Sequence, residues 1–346
     1  MKPEFILGSE DKFYYFMSEI DEEDKVAIIS HTDLDGVTSA VSAAKVLDPD
    51  LVILSDYGVN NLGKHVEKLK KNKITKLFVF DFHLDNDEEN VREINKFADI
   101  LVLDHHPFDK DHNSAKTVYI KCESKIPACY MSYYLFSKIQ KIPSWIVSFG
   151  LMSDLFFKYE GKGDKIYEDF NLPKVVSGDL LEEMTKKLAS ALIYFGGNEK
   201  EVFDAFMKAK SIDNLKYLES FGIEVDEEID FFTNDFETNH EEFGDLWVYQ
   251  FNPKFRIKSI VISKVSMVHK DKTIVFIKEN DNGIFGISAR RQDQKKDVNR
   301  LLRELTAEIP NSSGGGHKAA AGGWIPAEQV ERFKDLIREK YEEMNN

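Results

Sequence analysis

Val26-Ala27-Ile28-Ile29-Ser30-His31-Thr32-Asp33-Leu34-Asp35-Gly36 passes from an apolar run to a knot of carboxylates and imidazole within one residue. A run with no polar alternation reads as a strand buried on both faces, as in a parallel sheet. Outward along the chain, Leu51–Leu54 (LVIL), Leu77–Asp81 (LFVFD) and Ile100–Asp104 (ILVLD) repeat the pattern about every 25 residues, which leaves room for a crossover helix each time. Three of these four runs lead directly into a carboxylate or a carboxylate–histidine cluster. Ligand sites in open α/β sheets lie beyond the carboxyl ends of the strands, so the clusters are expected to meet at one edge.

Each cluster has a structural and a chemical reading. If the segment after the first strand stays extended, His31, Asp33 and Asp35 alternate onto one side and form a cation cradle. Alternatively, Asp33 or Asp35 caps the next helix and Gly36 eases the turn. Asp81 follows buried residues and needs a partner, whether a salt bridge, a cap or a cation. His83 shares its face and is either a second donor or a loop residue. Asp104-His105-His106-Pro107 ends the fourth run, where a carboxylate beside imidazoles suits a metal-linked arrangement. Asp154, within the apolar stretch GLMSDLF, faces solvent or supplies one more carboxylate. These donors are Asp and His without Cys, which suits Mn²⁺ or Mg²⁺ and admits Co²⁺. Carboxylates that would otherwise repel one another imply two cations sharing a bridging ligand.

The remainder divides by composition. Residues 1–197 are expected to form the sheet domain with flanking helices, including PACYMSYYLFSKIQ and SWIVSFGLMSDLF. Residues 198–245, rich in Glu, Asp, Phe and Asn, are expected to form a helical connector. Residues 246–346 carry LWVYQF, SIVISKV, TIVFIK and GIFGISAR as strands, then a helix near Lys296–Ile309, a Gly-rich turn and a final helix, which makes a smaller α+β domain. In the turn, Ser312-Ser313-Gly314-Gly315-Gly316-His317-Lys318 lets backbone amides approach an anion, although a run of glycines is also a plain flexible turn. Ser288, Arg290 and Arg291 end a strand, and one of these arginines is expected to contact phosphate.

The 346 residues include 46 basic and 61 acidic ones, for a net charge of −15, and 42% are hydrophobic, enough for sizeable cores. The charge is uneven: residues 246–346 hold 18 basic and 13 acidic side chains, whereas the rest is strongly acidic. Wrapping of a long duplex is therefore disfavoured and a small anion against the C-terminal half is not. Cys122 and Cys129 have no metal spacing and do not make a disulfide framework. No apolar run approaches the roughly 18 residues of a membrane span, so neither secretion nor insertion is expected and the cytoplasm is the default.

HTDLDG, VFD, LDHHP and GLMSD resemble, in order, the four motifs of the DHH phosphoesterase superfamily, which includes RecJ-like and nanoRNase-like enzymes. SSGGGHKAAAG resembles the signature of its DHH-associated C-terminal domain. The resemblance implies two Mn²⁺ ions held by His31, Asp33, Asp35, Asp81, His105 and Asp154, with Asp81 bridging. It places His106 and Asp104 behind the ligands or facing substrate, and Arg290 or Arg291 with Gly315, Gly316 and His317 on the phosphate or terminal nucleotide. The implied activity is phosphodiester hydrolysis of short single-stranded oligonucleotides or related small nucleotides by in-line attack of a metal-bridging hydroxide. A RecJ-like single-strand exonuclease, with a replication or repair partner, is the alternative; a cyclic-dinucleotide phosphodiesterase and a non-catalytic nucleotide-binding protein follow. A homodimer is compatible with each.

Overall fold

The computed structural model describes residues 2–343 apart from 57–60, 86 and 281–282. The chain divides into two compact units, Met1–Ile223 and Glu224–Asn346.

The first unit is built on a six-stranded sheet of β1 (Phe5–Leu7), β2 (Val26–His31), β3 (Leu51–Ser55), β4 (Lys76–Phe80), β5 (Asp99–Asp104) and β6 (Thr117–Cys122). Their order is β1-β6-β5-β4-β2-β3, parallel throughout except for β1, which runs antiparallel to β6. The strands are apolar on both sides because both sides are covered. Ile28, Phe78, Phe80, Leu101 and Leu103 enter a core with the helices Leu34–Leu47, Ala128–Phe136 and Ser144–Asp154. Ala27, Ile29, Leu77, Val79, Ile100 and Val102 enter the opposite core with Val66, Leu69, Val91 and Ile94. Strand order reverses at β2, whose neighbours are β3 on one side and β4 on the other, so a crevice opens beyond the carboxyl ends of β2 and β4.

Of the two readings of the segment after β2, the helix cap is the one observed, and the extended alternation is corrected. The chain turns at once into the helix Leu34–Leu47, with Asp33 as its N-cap accepting from the Gly36 amide at 2.9 Å. A Cβ at Gly36 would lie 2.3 Å from the His31 carbonyl oxygen, so this tight entry requires glycine. Asp35 therefore leaves from the first helical turn instead of alternating with Asp33.

The second unit holds a sheet of β7 (Glu241–Phe243), β8 (Leu246–Phe251), β9 (Thr273–Asn280), β10 (Ile284–Arg290), β11 (Ser313–His317) and β12 (Ala320–Pro326), in the order β11-β12-β10-β9-β8-β7. Only β8 and β9 are parallel. That pairing explains a second correction: SIVISKV lies in a helix, Lys258–Val268, because a parallel pair needs a crossover. Its buried positions Val261, Ile262 and Val265 follow helical spacing despite their β-branched side chains. The Gly-rich segment is corrected as well. Its glycines pair as strands, Gly314 with Gly323 and Gly315 with Gly322, and a Cβ at Gly314 would lie 2.8 Å from Leu302 of the helix Val298–Ala307. Here glycine serves close packing of strand on helix. Among the described residues, no helix is long and apolar enough to cross a membrane.

Candidate metal centre

The ends of β2, β4 and β5 bring their donors together with two contributions from helices. One group is His31, Asp33 and Asp81; a second is Asp35, His105 and Asp154; a third joins Asp81 to His105 and His106. In each, one donor atom per residue lies within 4.8 Å of the others.

Asp81 reaches two of these groups with different oxygens. Its Oδ2 lies 3.2 Å from His31 Nδ1, which is also 3.0 Å from Asp33 Oδ2. Its Oδ1 lies 3.4 Å from His105 Nε2. The residue adopts a left-handed backbone, φ 60°, directly after β4, a conformation that aspartate tolerates better than most residues and that is common at functional sites. Phe82 is buried behind it, edge-on to His31 with ring centres 5.8 Å apart.

Asp35 is buried, and both its oxygens accept backbone amides at the start of the helix Ala128–Phe136, from Ala128 at 3.0 Å and Cys129 at 2.7 Å. The favourable end of that helix thus fixes an otherwise isolated carboxylate. Asp154 ends the helix Ser144–Asp154, and its side chain still reaches solvent. Asp33 is half-exposed.

The consecutive histidines are held differently. His105 has its Nδ1 3.0 Å from the Ser124 carbonyl oxygen, which makes Nδ1 the donor and turns Nε2 toward Asp81 and toward Asp35, 3.6 Å away. A backbone carbonyl commonly orients a metal-binding histidine in this way. His106 instead has Nδ1 2.8 Å from Asp104 Oδ1 and 3.6 Å from Asp81 Oδ1, and its side chain is 32% exposed. His83 stands beside it, with ring centres 6.2 Å apart. Asp104 is wholly buried; its other oxygen takes the ammonium of Lys121, which is equally buried. Burial acts to raise the Asp104 carboxyl, but the His106 hydrogen bond and the Lys121 charge prevail and hold it at about 2.

The charges fit a cation better than they fit one another. Burial, then the neighbouring Asp81, raise Asp35 well above the usual carboxylate range. The surrounding protein, with Asp33 and Asp81 and against the pull of His105, raises Asp154 to about 6. Opposing burial, Asp33 and Asp81 raise His31 to about 10; contact with Asp81 and the charge of Asp35 do the same for His105. Carboxylate and imidazole donors, with no thiolate in any group among the described residues, suit Mn²⁺ or Mg²⁺.

In the second unit the two adjacent arginines part company. Arg291 is buried and tied to Asp245 at 2.8 Å and to Asp293 at 2.7 Å, so its fork is used internally. Arg290 makes hydrogen bonds only to carbonyl oxygens, those of Ala289 and Ala321. Lys258 donates to the Ile287 carbonyl at 3.3 Å, and burial, then the charges of Lys278 and Arg290, push it down to about 8. No carboxylate pairs with Lys258, Lys278 or Arg290 among the described residues. Sequence reasoning had no signal for Lys258, which the helix beginning at that residue brings over β10. Gly286 leaves it space, since a Cβ there would lie 2.9 Å from Lys258 Nζ. Gly315 is half-buried, while Gly316 and His317 are exposed at the end of β11.

A doubly covered parallel sheet with an Asp/His centre at its reversal point, followed by a mixed-sheet α+β unit, defines a two-domain α/β protein of the phosphoesterase fold. Family models agree: the N-terminal domain of the DHH family matches residues 25–151 and the DHHA1 domain matches residues 247–343. The chain belongs to the DHH superfamily and carries the DHH-associated C-terminal domain. Among solved structures it is similar to the exonuclease RecJ bound to manganese, with TM-score 0.70 and 11% identity over 98% of this chain and 95% of that one. RecJ from Thermus thermophilus in complex with Mn²⁺ matches with TM-score 0.67 and 11% identity over 96% of this chain and 54% of that one. CDC45 from Entamoeba histolytica shares the fold too, with TM-score 0.57 and 9% identity over 95% and 98%. A comparison with curated proteins gives no match. At such identities the likeness is one of fold, and the activity has to be argued from the site.

Proposed function

We propose that this protein is a divalent-metal-dependent phosphodiesterase acting on short single-stranded oligonucleotides or small nucleotides. The observation that carries the reading is Asp81, whose two oxygens face two separate donor groups at the reversal point of the sheet. His31 and Asp33 on one side, and Asp35, His105 and Asp154 on the other, would hold a pair of Mn²⁺ or Mg²⁺ ions. Bound there, such ions supply Lewis acidity toward a phosphoryl oxygen and lower the pKa of a water molecule.

The chain's own residues account for the rest. Backbone amides hold Asp35 in place, and the Ser124 carbonyl holds His105. His106, partly exposed and anchored through Nδ1, presents Nε2 to a substrate oxygen, where it stabilises developing charge or moves a proton to the leaving group. Arg290, Lys258 and Lys278 offer positive charge with no internal carboxylate to absorb it, which suits a phosphate or a terminal nucleotide. Gly315, Gly316 and His317 add backbone and side-chain donors. Short substrates are favoured because residues 1–245 are acidic and would repel a long polyanion.

The test is Mn²⁺-dependent hydrolysis of a labelled dinucleotide, a cyclic dinucleotide and a 30-mer single strand, as RNA and as DNA, at two salt concentrations. Rapid cleavage of the dinucleotide with a nearly inert 30-mer is expected. A salt-sensitive ladder from the 30-mer would make the protein a RecJ-like exonuclease instead. Turnover of none of them would refute the phosphodiesterase reading.

A further inference from the structure

Behind His106 lies a charged cluster that the chemistry described so far does not require. Lys121 is completely buried, as are Asp104 and Tyr119. Asp104 on β5 and Lys121 on β6 are register partners, so the ion pair crosses directly from strand to strand. Lys121 Nζ also donates to the Tyr119 hydroxyl at 2.8 Å, and that hydroxyl lies 3.5 Å from Asp104 Oδ2. The rings of Phe108 and Tyr119 flank the ammonium, each centred 4.8 Å from it. The cluster meets His106 through Asp104 Oδ1, which lies 2.8 Å from the ring Nδ1 and accepts the His106 backbone amide at 3.3 Å.

A buried ion pair is a poor source of stability, because desolvating two charges costs about as much as their attraction returns, and an apolar pair of similar volume is often as stable. What the charged pair does here that an apolar pair would not is hold a carboxylate at a fixed point beneath an imidazole. The lysine occupies Asp104 Oδ2, and the carboxylate is left with Oδ1 alone for the ring. The imidazole is then held with Nδ1 against Asp104. His105, one residue earlier, needs no such device because a backbone carbonyl serves it.

We propose that Lys121 is a positioning residue: through Asp104, and with Tyr119 bracing the ammonium, it fixes the direction of the His106 ring and holds Nδ1 as its hydrogen-bonded nitrogen. The proposal rests on the phosphodiesterase reading only for the use to which His106 is put; the ring geometry stands without it.

The test uses the full chain. In protein labelled with ¹⁵N-histidine, the His106 ring is expected to show an Nδ1 proton hydrogen-bonded to a carboxylate. Lys121→Met should abolish that signature while leaving that of His105 in place. With Mn²⁺ and dinucleotide, kcat should fall about 10–100-fold, the loss typical when an orienting partner is removed, with KM within about threefold. Mn²⁺ affinity by calorimetry should be little altered, which a general loss of structure would not allow. Should Lys121→Met leave too much uncompensated charge to fold, the pair Asp104→Asn with Lys121→Met removes both charges and is expected to show the same loss of signature. An unchanged His106 spectrum in either folded variant would overturn the inference. A changed spectrum in a protein that hydrolyses no phosphodiester would uphold it and refute the phosphodiesterase reading instead.

Discussion

The two units treat charge in opposite ways. In the first, carboxylates and histidines crowd around Asp81 and push one another's protonation upward, a surplus of negative charge that a metal relieves. In the second, Lys258, Lys278 and Arg290 are mutual neighbours with no carboxylate paired to any of them among the described residues, a surplus of positive charge that an anion relieves. Each cluster is unfavourable alone, and each calls for a ligand of the opposite charge. Strain of this sort marks function more reliably than charge counts do, because most other lysines here are already paired across the surface.

The comparison breaks most visibly at Asp81. Asp81→Asn keeps the side-chain shape and tolerates the left-handed backbone, yet removes the charge that faces both groups. It is expected to weaken Mn²⁺ binding and to lower phosphodiester turnover by more than about 100-fold, beyond the usual effect of an outer partner; calorimetry and the dinucleotide assay measure the two. Binding and turnover near wild type would remove the bridging role.

Adjacent arginines sharpen the contrast next. Arg290→Ala should raise KM about tenfold, the loss of a charge-assisted contact, with the melting temperature nearly unchanged. Arg291→Ala should instead cost about 2 kcal/mol of stability through its lost charged hydrogen bonds, read by denaturant unfolding, and leave KM close to wild type. The reverse outcome would move the anion site to Arg291.

The smallest effect concerns pH. Lys258 titrates at about 8 in the folded protein, against an ordinary value of 10.5. The unfolded chain therefore binds more protons between these values, and stability rises with pH across that window. Below about 8 the penalty of the charged amine is fully present. Lys258→Met is expected to stabilise the protein at pH 7 and to lose that advantage by pH 10.5, while inorganic phosphate should bind wild type less well as pH rises through 8. A pH-independent difference between the two proteins in unfolding experiments would show that Lys258 is not perturbed by Lys278 and Arg290.

Much of this was legible in the residues. Unalternating apolar runs that end in acid and imidazole are enough to announce a doubly covered parallel sheet and the edge where its donors gather. The route from His31 to Asp35 was legible only as one of two readings, since the choice between them depends on a close approach between Gly36 and a carbonyl that spacing does not reveal. Ile262 and Val265 have the side chains of a strand, and only the parallel pairing of β8 with β9 demands that they lie on a crossover helix. Lys121 left no trace, because a lysine between Ile120 and Cys122 looks like the polar face of an edge strand until β1 is found covering that edge.

That covering strand also orders the events of synthesis. Phe5–Leu7 pairs with Thr117–Cys122, so β1, although synthesised before β2 to β5, waits for more than a hundred further residues before its partner strand is made. Contacts of such long sequence separation form slowly. Until β6 arrives, Asp104 has no lysine beside it, and the hydrogen-bonded support beneath His106 waits with it.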